Sequence, residues 1–208
     1  MKIGLDMDEI LAEFVDSFLQ FHNDLYGTTV RKNEMFTYNF EDVIGITEDQ
    51  IEERLLQFYT TDYFRNIKPV SGAEKGIDEL AKSHVLAVIT ARPYIIRPET
   101  ERWLNQYFSN FFASINLTNQ FQYRDQGNKR KKSEICQERG VNLMVEDSLN
   151  YASDCASQGI DVLLLDYPWN QTVELPENIK RVCSWGEIAA EINNYEKNKG
   201  RRNSTKKI

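Results

Sequence analysis

Four short apolar runs punctuate the chain, and each ends on an acid or a hydroxyl. Residues 2–5 lead into Asp6, residues 85–89 into Thr90, residues 142–145 into Glu146 and Asp147, and residues 161–165 into Asp166. Near-continuous Val, Ile and Leu over so few positions predicts strands buried on both faces, as in a parallel sheet. Helical spacing fills the intervals. Residues 73–82 precede the second run, and residues 98–108 open with Pro98 and Glu99, a favourable first turn. Residues 133–138 and 151–158 run up to Gly140 and Gly159 at expected C-cap positions, and residues 185–195 close the folded part. Strands alternating with helices of this size predict an α/β fold with a mainly parallel sheet.

One interval is too long for a simple crossover. About eighty residues separate the first run from the second, several times what a βαβ unit needs. That interval has its own helical patterns. Phe14, Phe18, Phe21 and Leu25 share a helical face, and Thr47 to Gln50 reads as a capping box ahead of IEERLLQF. The expected organisation is therefore a core of residues 1–13 and 72–196 carrying a small helical cap, residues 14–71, after the first strand. The hinges are expected near 13–15 and 68–72, where Pro69 and Gly72 mark the return.

The 208 residues carry 25 basic and 32 acidic side chains, a net charge of −7. Six of the basic ones lie in residues 197–208, leaving 19 against the same 32 in the body. So acidic a body repels a polyanion, so no nucleic-acid partner is expected, and the tail reads as a disordered, solvated end. No apolar run approaches the roughly 20 residues of a membrane span. Three cysteines without CxxC spacing indicate neither a disulfide framework nor a zinc site. The expected setting is a reduced, cytoplasmic one, and the oligomeric state stays open.

In open α/β sheets ligands gather at the carboxyl ends of the strands. Asp6, Asp8, Thr90, Glu146 and Asp147 all fall there. Carboxylates crowded into one crevice take up protons or bind a cation, and a hard divalent ion held by oxygens, Mg²⁺ above all, suits them. Lys131 and Lys132 precede the third run and offer an ammonium. Metal, lysine and threonine together suit a doubly charged anion such as phosphate. Asp6 and Asp8, two apart, allow one carboxylate to attack phosphorus while the other moves protons. Arg92, close to Thr90, is a phosphate partner or an ion-pair partner on these grounds alike.

The segments LDMDEILAEF, VITARP and KKSEICQERGVNLMVEDS resemble the haloacid-dehalogenase (HAD) superfamily of aspartate-nucleophile phosphatases. Within it the chain is most similar to the 5'(3')-deoxyribonucleotidase group of cytosolic type C, over residues 2–165. The resemblance implies a Rossmann-like core with an inserted helical cap. It implies Asp6 as nucleophile, Asp8 as general acid and base, and Thr90 and Lys132 as phosphate ligands, with Lys131 the rival for the lysine role. It implies Mg²⁺ held by Asp6, the backbone carbonyl of Asp8 and Asp147, with Glu146 nearby. Phe14 matches a position where an aromatic ring meets a nucleobase.

The chain departs from that pattern at Glu9, where the group has Gly, and at Ile10, a mild change. The cap aromatics Phe36, Tyr38, Phe40, Tyr59 and Phe64 are all candidates for holding a base. The expected activity is Mg²⁺-dependent hydrolysis of a small phosphomonoester, a nucleoside monophosphate first. A sugar phosphate or other small metabolite, or a silent binding protein of the same fold, are the alternatives. His22, His84 and Cys136 read as structural. The Tyr167-Pro168-Trp169-Asn170 stretch reads as a rim loop or as a turn that buries Trp169.

Overall fold

The computed structural model describes residues 1–121, 127–171 and 174–204, with side chains as far as residue 195. Six strands form one sheet: β1 (Lys2–Leu5), β2 (Val85–Thr90), β3 (Phe112–Leu117), β4 (Leu143–Glu146), β5 (Asp161–Leu165) and β6 (Ile179–Val182). Their order is β3-β2-β1-β4-β5-β6, and every neighbouring pair is parallel. The expected α/β architecture is present. The four inner strands are the four apolar runs of the sequence.

The two strands absent from the sequence reading are the edges. Edge strands keep one flank in solvent, so they are short or polar and carry no continuous apolar signal. β6 reads IKRV with Lys180 exposed, and the first four residues of β3 are half-buried or exposed. Phe112 is the first residue of β3. At the centre, a Cβ on Gly4 of β1 would lie 2.7 Å from Met144 Sδ on β4, so a larger residue there would force the Met144 side chain to move.

Between β1 and β2 lie four helices: α1 (Phe14–Tyr26), α2 (Phe40–Ile44), α3 (Glu48–Phe58) and α4 (Asp62–Arg65). Their aromatic residues pack on one another. Phe18 lies 4.6 Å from Phe40 and 5.4 Å from Phe58 between ring centroids, and Phe58 lies 5.4 Å from Phe64. The capping box forms as its sequence demands: Gln50 N donates to Thr47 Oγ at 3.3 Å, and Thr47 N donates to Gln50 Oε1 at 3.0 Å.

The two chain segments joining these helices to the sheet run side by side. Glu13 N donates to Lys68 O at 2.9 Å, and Val70 N donates to Leu11 O at 2.8 Å. Two buried indoles secure them: Trp185 Nε1 donates to Ile10 O and Trp103 Nε1 to Ile67 O, each at 2.8 Å.

The remaining helices flank the sheet: α5 (Ala73–Ala81), α6 (Arg97–Tyr107), α7 (Lys132–Arg139), α8 (Leu149–Ser157) and α9 (Trp185–Ser204). α9 corrects one expectation. Residues 197–204, expected to be an unstructured end, continue the helix that starts at Trp185. No proline interrupts the segment, and Lys and Arg are good helix formers. Residues 205–208 of the expected tail lie outside the described residues. Among the described residues no helix is long and apolar enough to cross a membrane.

Candidate active site

β1 and β4 are neighbours, and the chain leaves them on opposite sides of the sheet. Their carboxyl ends therefore open the crevice at the switch point, where an open parallel sheet binds ligands. Asp6 and Asp147 meet there. Oxygens of Asp6, Glu146 and Asp147 lie within 4.8 Å of one another, and all three residues are buried.

Lys132, the first residue of α7, answers that negative charge. Its Nζ lies 2.8 Å from Asp6 Oδ2 and 2.8 Å from Glu146 Oε2, with no exposed side-chain surface. Burial works against its ammonium, but the Asp6 and Glu146 carboxylates more than offset this and hold it above its ordinary value. Lys131 caps the same helix and points outward, two-thirds exposed, toward Asp154. The geometry thus separates the two lysines that the sequence left as rivals.

One cation does not neutralise three carboxylates. Burial raises Glu146 and Asp147 well above the usual carboxylate range, and repulsion among them and Asp6 adds to the rise. Asp6 Oδ1 is buried with no hydrogen-bond partner. Three buried carboxylates sharing one ammonium fit the donor set of a hard divalent cation.

Asp8 sits apart from this cluster. Arg92 grips it through Nε at 3.0 Å and Nη2 at 2.6 Å, while Nη1 donates to Thr100 Oγ at 3.1 Å. Burial still outweighs the guanidinium and raises the Asp8 pKa. Arg92, which the sequence left between a phosphate ligand and an ion-pair partner, pairs with the Asp8 carboxylate and is itself buried. Thr90 is fully buried and its Oγ accepts from Arg92 N at 3.3 Å.

A cavity of about 330 Å³ opens over these groups, with Asp6, Asp8, Thr90 and Asp147 at its base. Phe14, Tyr38, Phe40, Tyr59 and Phe121 line it, and Glu41, Glu48 and Glu52 of the cap contribute carboxylates. Of the five cap aromatics considered, Phe36 is 70% exposed on the surface and Phe64 is packed inside the cap, so neither lines the cavity. Phe121 was not singled out, because nothing in its local pattern distinguishes it.

Glu9 resolves the departure that the sequence raised. Its φ is 63°, left-handed backbone that favours glycine. The side chain leaves the cavity: Oε1 accepts from Val15 N at 2.7 Å, and Oε2 pairs with Lys32. Burial, only partly offset by Lys32, lifts its pKa to about 7.

The model of the family described as "5' nucleotidase, deoxy (Pyrimidine), cytosolic type C protein" matches residues 1–196. The chain belongs to this cytosolic type C 5'-nucleotidase family. It is accordingly an HAD-type phosphatase, as the resemblance implied. Among its relatives, YqfW of Bacillus subtilis (strain 168), which bears a nucleotidase name, is 25% identical over 195 residues, covering 93% of this chain and 94% of that one. A 5'(3')-deoxyribonucleotidase of the same organism is 20% identical over 196 residues, covering 91% and 97%.

Among solved structures, a haloacid dehalogenase-like hydrolase of Streptococcus pneumoniae, SP0104, superposes with a TM-score of 0.66. It is 14% identical, over 92% of this chain and 97% of that one. That likeness concerns the fold.

Set in this nucleotidase family, several contacts stand outside what motif reading could reach. Lys32 opens the 3-10 turn Lys32–Glu34 and Tyr38 lies in a loop of the inserted segment, and neither falls in a motif. Tyr151 lies under the Lys132 ammonium, 4.4 Å from ring centroid to Nζ, and is signalled only by its place two residues into α8.

Proposed function

We propose that the protein is a Mg²⁺-dependent phosphomonoesterase that hydrolyses nucleoside monophosphates by way of an aspartyl-phosphate on Asp6. The observation that carries this reading is the Asp6 carboxylate. One oxygen is held by Lys132 at 2.8 Å, and the other is buried and unpartnered at the base of an aromatic-lined cavity.

Lys132 fixes Asp6 in one orientation and leaves Oδ1 to attack phosphorus in line with the ester oxygen. Asp6, Asp147 and the Asp8 carbonyl would hold Mg²⁺, which would supply charge neutralisation for the phosphoryl oxygens. Thr90 donates its hydroxyl to one of those oxygens. Asp8, whose raised pKa suits an acid, protonates the departing hydroxyl and then takes a proton from the water that releases phosphate. Phe14, Tyr38, Phe40 and Tyr59 offer faces and edges to a planar base, and the cap excludes bulk water. The partner is a small molecule rather than a polymer or membrane, and the setting is cytoplasmic.

The three cap glutamates support a second reading, a sugar phosphate whose hydroxyls donate to them. Glu9, the departure that would favour a silent protein, pairs with Val15 N and Lys32 instead of facing the cavity. Phosphate release from a panel of ribo- and deoxyribonucleoside monophosphates and sugar phosphates, with and without Mg²⁺, tests the proposal. Nucleotides should be hydrolysed fastest, only with Mg²⁺, and Asp6→Asn should fall to background while melting like the parent. Equal rates on sugar phosphates would overturn the substrate assignment, and an active Asp6→Asn would overturn the mechanism.

A further inference from the structure

The 3-10 turn Pro168–Asn170 follows β5 and has no part in the chemistry above. It nevertheless grips Asp147 from both ends. Trp169 Nε1 donates to Asp147 Oδ2 at 3.0 Å, and Asn170 Nδ2 donates to the Asp147 carbonyl at 2.7 Å and to the Leu165 carbonyl at 2.7 Å. We propose that Trp169 is a positioning residue for the acid centre: its indole N–H turns one oxygen of Asp147 away and presents the other to the divalent cation.

Two observations support this. First, Asp147 is buried among like charges, and the ion pairs of Lys132 go to Asp6 and Glu146. The indole is therefore the side-chain donor that fixes the Asp147 rotamer. Second, the indole is itself held. Its ring stacks on Tyr167 at 4.5 Å and 7°, and Tyr167 donates its hydroxyl to Glu9 O at 2.9 Å. Lys32 lies 4.7 Å from the Tyr167 ring and pairs with Glu9. From the cap, Tyr38 meets the Trp169 ring edge-on at 5.5 Å. Lys32 and Tyr38 both come from the inserted segment, so the rotamer of Asp147 is tied to the seating of the cap. Outer-shell donors of this kind typically change metal affinity by about 10–100-fold when lost.

The inference rests on the divalent-cation reading above, and calorimetric titration with Mg²⁺ alone, without substrate, separates the two. Trp169→Phe keeps a ring for the stack and removes the donor. It should weaken Mg²⁺ binding by about 10–100-fold while its melting temperature in chelator stays near the parent's. Saturating Mg²⁺ should restore most of kcat. A dissociation constant within about twofold of the parent's would overturn the inference and leave the cation reading standing. Absence of Mg²⁺ binding by the parent would overturn both.

Should Trp169→Phe fail to fold, the indole N–H resonances of the unaltered protein decide. The sequence has three tryptophans. Trp103 and Trp185 donate to the backbone carbonyls of Ile67 and Ile10 rather than to a carboxylate. One of the three signals should shift on adding Mg²⁺, and three unmoved signals would overturn the inference.

Discussion

His22, on α1, is fully buried against Thr28, Tyr26, Phe18 and Arg54. Burial first, and the Arg54 guanidinium second, lower its pKa from 6.5 to about 4. The folded protein thus keeps His22 neutral where the unfolded chain would take up a proton. A depressed histidine contributes stability that is present above the unfolded value and is lost as the pH falls from about 6.5 to about 4. His22→Gln should flatten this limb. Comparing denaturant midpoints at pH 7 and pH 4.5 should show the parent losing up to about 2 kcal/mol more than the variant. Equal losses would contradict the burial account.

At this scale the positions were legible and the orientation was not. Asp6, Asp8, Thr90, Lys132 and Asp147 stand at strand or helix ends, where spacing alone locates them. The direction of Arg92, the outward turn of Glu9 and the grip of Trp169 depend on neighbours some six to eighty residues away in the chain.

Among elements, α5 and α9 show where packing overrules local preference. Gly76 sits inside α5, where glycine is about 1 kcal/mol less favourable than alanine. A Cβ there would collide with the Trp185 ring, with Cζ3 at 2.9 Å. Overpacking of this kind costs about 1–3 kcal/mol, so the clash outweighs the propensity gain. Gly76→Ala should lower the melting temperature by about 2–4 °C per kcal/mol of net loss, and a rise would mean that the ring moves aside without cost. The Trp185 indole also bonds Ile10 O, so the same change loosens one of the two hinge segments.

Elements with a continuous apolar run or a complete cap signal were readable: the inner strands, α1, and α3 with its Thr47 box. β3 and β6 were not, because an edge exposes one flank and its residues alternate or carry charge. The helical continuation of α9 was hidden by its charge, which argues for solvation but not against helix.

For the whole molecule, the decisive feature is the order of the strands. With β1 central and β4 beside it, residues 6 and 147 become neighbours although 141 positions separate them. The inserted helices then close over the same crevice. The sequence pattern pointed to an insertion between the first two strands, and helices α1 to α4 stand there. It did not show that Lys32 and Tyr38 reach the far side of the crevice, because no periodicity encodes a contact made by a loop.

Chemical trapping on residue 6 puts the central claim to the most direct test. The parent protein, acid-quenched during steady turnover of a nucleoside monophosphate with Mg²⁺ and mapped by peptide mass, should carry one phosphoryl group on Asp6, which Asp6→Asn should lack. Sustained turnover with the Asp6 peptide unmodified, or with the phosphoryl group on another residue, would contradict the account.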